Sequence, residues 1–305
     1  MSQERPPTID PRAAARWETA PPAAASPWLH EEIGRRMEDR LQWIMLKPQR
    51  WAHWQPLRGG RATHALLARR FPDAACDVVE ATPAQAQAAR AALSSSWWKP
   101  GRWRAPATRF LAGPEALAPG SVQMLWANMS LHTAADPQAL IAAWHAALAT
   151  DGFLMFSCLG PDTLRSLRAL YADLGWPPAG AEFTDMHDWG DMLVHAGFAE
   201  PVMDMERTTL TYETPERLLQ DLREIGRNLH PARFPALRGR AFRQRLLEAL
   251  RDRLAVPTED GRLALQIEII YGHALRPAPR TPLAAESAVS LQDMRSMLRG
   301  GRRGA

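Results

Sequence analysis

The feature that most constrains this chain is an alternation running from about residue 50 to residue 160. Short runs of near-continuous apolar residues are separated there by stretches with helical spacing. Residues 50–55 make a first strand candidate, followed by a helix over 61–70. Cys76-Asp77-Val78-Val79 is a second strand, closing at Glu80, with a helix over 83–93. Phe110-Leu111 and Val122 to Trp126 give a third and a fourth strand. Asp136-Pro137 caps a helix reaching Gly152, and Phe153 to Phe156 is a fifth strand. Strands this short and this uniformly apolar are buried on both faces, which predicts an α/β fold: a doubly wound, mostly parallel sheet covered by helices. Its right-handed crossovers leave ligands at the carboxyl ends of the strands.

The pattern continues with helices over 162–174 and 188–196 and strands over 201–212 and 263–275. Between those two strands lie arginine-bearing amphipathic helices over 215–227 and 240–254. They break the alternation and read as a helical lid insertion, residues 213–258, before the last strand. Ser26-Pro27 supplies an N-cap and a first-turn proline for a helix that ends before Pro48. The expected organisation is a single domain over 26–276, with a disordered Pro/Ala-rich tail over 1–25 and a flexible tail over 277–305.

Hydrophobic content of 46% and charged content of 23% describe a globular chain. No apolar stretch approaches the roughly 20 residues that span a bilayer, and the N-terminus lacks the apolar core of a signal peptide. The expectation is a cytoplasmic protein with no membrane partner. The net charge of +4 is carried almost wholly by arginine, Lys47 and Lys99 being the only lysines. No dense basic stripe accompanies it, so no nucleic-acid partner is expected. The aromatic and basic loop Trp97-Trp98-Lys99 to Arg102-Trp103-Arg104 is read as packing on the sheet edge. Cys76 and Cys158 are read as inert buried thiols, and the absence of CxxC and HExxH argues against a metal.

Four positions draw attention through their place in this architecture. Glu80, at the tip of the second strand, is either a ribose acceptor or a surface strand-end residue. Asn128, after the fourth strand, either orients a substrate or closes a turn. Gly160-Pro161-Asp162 reads first as a turn with an Asp N-cap. His187, between Asp185 and Asp188, is more simply a helix start, with Asp188 as cap, than an acid/base pair. Against these stands a gap. After the first strand a glycine-rich run is expected, because close backbone approach to a nucleotide cofactor tolerates no Cβ. The segment here is WAHWQPLRGGR, with Trp54, Pro56 and Leu57 in place of small residues and only Gly59 and Gly60 before the helix.

The segments MLWANMSLH (124–132), GFLMFSCLGPDTLRSLR (152–168), FTDMHDWGDMLVHAGFAEPVMDMERTTLTYETPERLLQDLREIGRN (183–228) and EIIYGHALRP (268–277) resemble the malonyl-[acyl-carrier-protein] O-methyltransferases of biotin synthesis. These belong to the class I S-adenosylmethionine-dependent methyltransferases. The resemblance implies a Rossmann-like methyltransferase fold, S-adenosylmethionine as cofactor, and a malonyl-bearing acyl-carrier protein as partner. It places Glu80 at the ribose, Asn128 after the fourth strand, and Gly59 and Gly60 in the cofactor loop. Gly113 stands where the family has an acidic residue. An already ionised carboxylate acceptor needs positioning more than a general base. Trp126 and Tyr271 are candidate aromatic faces for the sulfonium. Arg223 and Arg227, with Arg233, Arg238, Arg240 and Arg243, are candidates for the acceptor or its carrier. The alternative is a non-catalytic relative that keeps the fold for binding or assembly.

Overall fold

The computed structural model describes residues 9–94, 106–256 and 261–279. The expectations for Trp97 to Arg104 and for nearly all of the C-terminal tail lie outside these residues. Five parallel strands, β1 (Arg50–Trp54), β2 (Ala75–Glu80), β3 (Thr108–Ala112), β4 (Val122–Ala127) and β5 (Leu148–Leu159), are joined by β6 (Ala199–Tyr212) and β7 (Leu263–Leu275). The order is β3-β2-β1-β4-β5-β7-β6, and β7 runs antiparallel to both of its neighbours. The order reverses direction between β1 and β4, the switch point at which such sheets open a crevice.

Each strand feeds two cores at once. Trp51, Val78, Met124, Trp126 and Phe153 enter one apolar cluster. Their neighbours Ala52, Val79, Leu125, Ala127 and Leu154 enter a second. This is the period-2 consequence of a sheet covered on both faces, and it explains why β1, β2, β4 and β5 carry no polar alternation.

The helices are α1 (Pro11–Thr19), α2 (Trp28–Arg40), α3 (Pro56–Gly59), α4 (Arg61–Arg70), α5 (Pro83–Leu93), α6 (Pro137–Ala147), α7 (Arg165–Asp173), α8 (Met186–His195), α9 (Pro215–Ile225) and α10 (Arg240–Leu254). Side-chain oxygens of Thr82, Asp136 and Thr214 accept from the first-turn amides of α5, α6 and α9, each ahead of a proline. The insertion between β6 and β7 is anchored rather than free. Leu218 and Ile225 of α9 and Leu246, Leu250 and Leu254 of α10 are buried in the first core cluster.

Three boundaries differ from the sequence expectation. The helix expected over 28–46 ends at Arg40 and passes into a short 3-10 turn, Leu41–Trp43. β5 begins at Leu148, through a left-handed Asp151 (φ 62°) and Gly152, where a Cβ would sit 2.8 Å from the Ala149 carbonyl oxygen. Residues 9–25, expected to be loose, instead form α1 and a strap. Ile9, Ala13 and Ala14 pack with Ala181 and Leu229. Asp10 accepts from the Arg12 and Ala13 amides and pairs with Arg233 at 2.6 Å. The Pro/Ala-rich composition suggested disorder, but packing and a well-made cap override composition here.

Candidate active site

The segment after β1 shows how the chain closes without a glycine run. Gln55 takes the left-handed conformation (φ 48°), and its amide donates to the Val79 carbonyl at 2.7 Å. Pro56 then opens the single turn α3, and Gly60 (φ 141°) redirects the chain into α4. Leu57 is buried, and its amide donates to Glu80 Oε1 at 3.0 Å. A Cβ on Gly59 would lie 2.9 Å from the Asn128 carbonyl oxygen. The two glycines therefore serve close packing against β4 and a reversal of direction.

Glu80 is 3% exposed. Burial raises its carboxyl pKa from the ordinary 4.5 to about 7, against the opposing pull of the Leu57 amide, Arg58 and Arg61. Its Oε2 makes no hydrogen bond among the described residues. Asn128 is fully engaged: Nδ2 donates to the His30 carbonyl at 2.7 Å and to the Gly59 carbonyl, and Oδ1 accepts from Ser157 Oγ at 2.6 Å. It ties α2, the α3 turn and β5 together at the carboxyl end of β4.

Around this joint lie small cavities and one large one. His30 Nδ1 donates to the Arg58 carbonyl at 2.9 Å, which leaves Nε2 with a lone pair and no partner. His30, Asn128 and Ser130 line a small cavity beside the α3 turn, and Ser130 Oγ is also without a partner. A cavity of about 460 Å³ lies between the strap, the start of α2, the α3 turn and α9. Arg223 and Arg227 both line it, as do Arg58 and Trp17. The Arg58 and Arg227 guanidinium carbons stand 4.3 and 5.1 Å from the centre of the Trp17 ring.

The structure thus brings Gly59, Gly60, Glu80 and Asn128 together at the switch point, and Arg223 and Arg227 beside them. It does not bring Trp126 and Tyr271 there. Trp126 is completely buried in the core, with its indole N–H unpartnered. Tyr271 lies mid-strand in β7, covered by Arg40 at 3.8 Å and donating to Glu206 at 3.3 Å. The aromatic face at the cleft belongs to Trp17, from the segment expected to be disordered. Its signal was the pair Asp10-Pro11, the same cap-and-proline start that precedes α6.

The remaining motif residues are structural. Asp162 pairs with Arg165 and Arg207. Asp185, not Asp188, caps α8, accepting from the His187 amide at 2.8 Å and meeting His187 Nδ1 at 2.6 Å on an exposed surface. Cys76 and Cys158 are buried free thiols whose pKa values burial pushes up. No group of three metal-ligating side chains occurs among the described residues, and no helix among them is long and apolar enough to cross a membrane.

The strand order, the switch-point cleft and the acidic tip of β2 define a class, the Rossmann-like methyltransferases. Two solved structures share the fold. A Bacillus halodurans protein assigned as a methyltransferase aligns with TM-score 0.54 at 14% identity over 81% of this chain and 100% of its own. The YcgJ protein of Bacillus subtilis aligns at 0.51 and 13%, over 82% and 100%. No family model matches the chain. Curated relatives carry the assignment further. The malonyl-[acyl-carrier protein] O-methyltransferase of Gallionella capsiferriformans is 40% identical over 265 residues, 84% of this chain and 87% of its own. That of Laribacter hongkongensis is 40% identical over 259 residues, 83% and 84%. The chain belongs to the malonyl-[acyl-carrier protein] O-methyltransferase family.

Proposed function

We propose that this protein transfers a methyl group from S-adenosylmethionine to the free carboxylate of a malonyl group held on an acyl-carrier protein, the step the resemblance assigns to biotin precursor synthesis. The observation that carries this reading is the 40% identity to named relatives over more than four-fifths of the chain. The donor set at the switch point suits the cofactor. Glu80 stands at the tip of β2, where an acidic side chain suits ribose hydroxyls. His30 Nε2 and Ser130 Oγ, which make no hydrogen bond among the described residues, line the small cavity beside the α3 turn.

S-adenosylmethionine supplies a sulfonium-bound methyl group, whose transfer to a carboxylate oxygen leaves a neutral thioether and moves no proton. The residues of the chain are then needed to bind, orient and exclude water. Glu80 binds the ribose, Gly59 and Gly60 allow the turn beside it, and Asn128 fixes that turn by its three hydrogen bonds. Arg223 and Arg227 face the acceptor. A carboxylate of ordinary pKa, roughly 4, is ionised at neutral pH, so a general base is not required. The exposed, purely local His187–Asp185 contact agrees with this.

The test is labelled-methyl transfer to purified carrier proteins. Malonyl-carrier protein becomes labelled and acetyl-carrier protein, which lacks the free carboxylate, does not. Equal labelling of both, or of neither, would remove the assignment.

A further inference from the structure

Resting on that reading, we propose that the 460 Å³ cavity is the binding site for the acceptor's free carboxylate, with Arg58 and Arg227, held over the ring of Trp17, as its anchors. The volume lies within the usual range for small-molecule sites, roughly 300–1,000 Å³. Three guanidinium groups, Arg58, Arg223 and Arg227, line it, and none of them forms a salt bridge among the described residues. Glu224, the one carboxylate on the lining, takes its hydrogen bond from Gln220 at 3.1 Å.

Arg58 and Arg227 are instead occupied by neutral acceptors. Arg58 donates to the Glu18 and Ala20 carbonyls at 3.2 and 2.6 Å. Arg227 donates to the Gly226 carbonyl at 2.8 Å and to that of Arg223. Burial depresses the pKa of both; at Arg58 the neighbouring Glu80 and Glu18 carboxylates oppose this and Arg227 adds to it, while at Arg227 the like charge of Arg223 adds to it. Clustered, partly desolvated cations with only carbonyl partners form a site that a bound anion relieves, and guanidinium forks match a carboxylate.

The location fits the chemistry. Leu57 and Arg58 line the cavity, and the Leu57 amide is bound to Glu80, so the anion site adjoins the cofactor turn. The ester product carries no charge and loses these partners, which favours its release. Because Trp17 belongs to α1, the N-terminal segment is a wall of the acceptor site.

The experiment uses the full chain with Arg58→Gln, Arg227→Gln and Arg58→Lys. Two readouts are taken: the KM for malonyl-carrier protein and the Kd for S-adenosylmethionine by calorimetry. The expected result is a rise in KM of tenfold or more for each Gln variant, a cofactor Kd within twofold of wild type for Arg227→Gln, and partial recovery of KM in Arg58→Lys. Direct titration with malonate gives binding that Arg58→Gln abolishes, and dimethyl malonate gives none. An unchanged KM in both Gln variants overturns the proposal. So does equal weakening of acetyl- and malonyl-carrier binding, which would mean that the arginines read the carrier's own phosphate or acidic surface. If the wild type transfers no methyl group at all, the functional reading fails. The malonate titration then decides the site alone, supporting it if Arg58→Gln abolishes binding and sinking it if the wild type binds no malonate.

Discussion

At the scale of single residues, Glu80 joins stability to function. Its carboxyl is held near pKa 7 by burial. A group whose pKa is raised on folding favours the folded state when protonated. Its contribution is therefore fully present below the unfolded value of 4.5 and is lost as pH rises through 7. That rise corresponds to roughly 3 kcal/mol as an upper bound. Glu80→Gln keeps the oxygen that accepts from Leu57 and removes the charge. It is expected to unfold at higher urea than the wild type at pH 8, by about 1–3 kcal/mol, with the gap closing at pH 5. The same variant should weaken S-adenosylmethionine binding about tenfold, because an amide is a poorer acceptor for ribose hydroxyls than a carboxylate. Equal stabilities at pH 8 would show that the buried charge is not costly. The positions of Glu80 and Asn128 were legible because they follow from where strands end. Asn128's part was not, since its three partners lie on α2, α3 and β5, which only tertiary structure brings together.

Elements divide by how local their causes are. Strands β1, β2, β4 and β5 were readable because both of their faces are buried, and α6 because Asp136 caps it ahead of a proline. The start of β5 was not readable, since it depends on a left-handed Asp151 and a close approach at Gly152. α1 carries the same cap-and-proline start, Asp10-Pro11, but its packing was not readable, because it comes through Ala181, Leu229 and Arg233, distant in sequence. Asp10 both caps α1 and meets Arg233, so Asp10→Ala should lower the melting temperature. Arg233→Ala combined with it should add less than its separate cost, because the two changes remove one shared contact. Full additivity would show that the pair does not hold the strap.

On the scale of the whole molecule, the sheet is built around histidines that must stay neutral. His53 of β1 and His64 of α4 are buried with Nδ1 atoms 3.1 Å apart, so one donates to the other. Burial lowers the pKa of His64 to about 4 and that of His53 well below its ordinary 6.5, with His64 adding to the latter; burial likewise brings His30 to about 4. A histidine depressed on folding contributes stability that is present above 6.5 and lost as pH falls towards 4. Three such groups outweigh the opposite trend of Glu80. Urea midpoints should therefore fall steadily from pH 7 to pH 5, and the fall should be shallower in His64→Asn. A flat profile would mean that these side chains are hydrated in solution.

The same scale decides the central claim. Calorimetric titration of the full chain with S-adenosylmethionine should give one-to-one binding that Glu80→Ala weakens tenfold or more. Absence of heat at millimolar cofactor would contradict the account and leave a methyltransferase fold retained for binding or assembly.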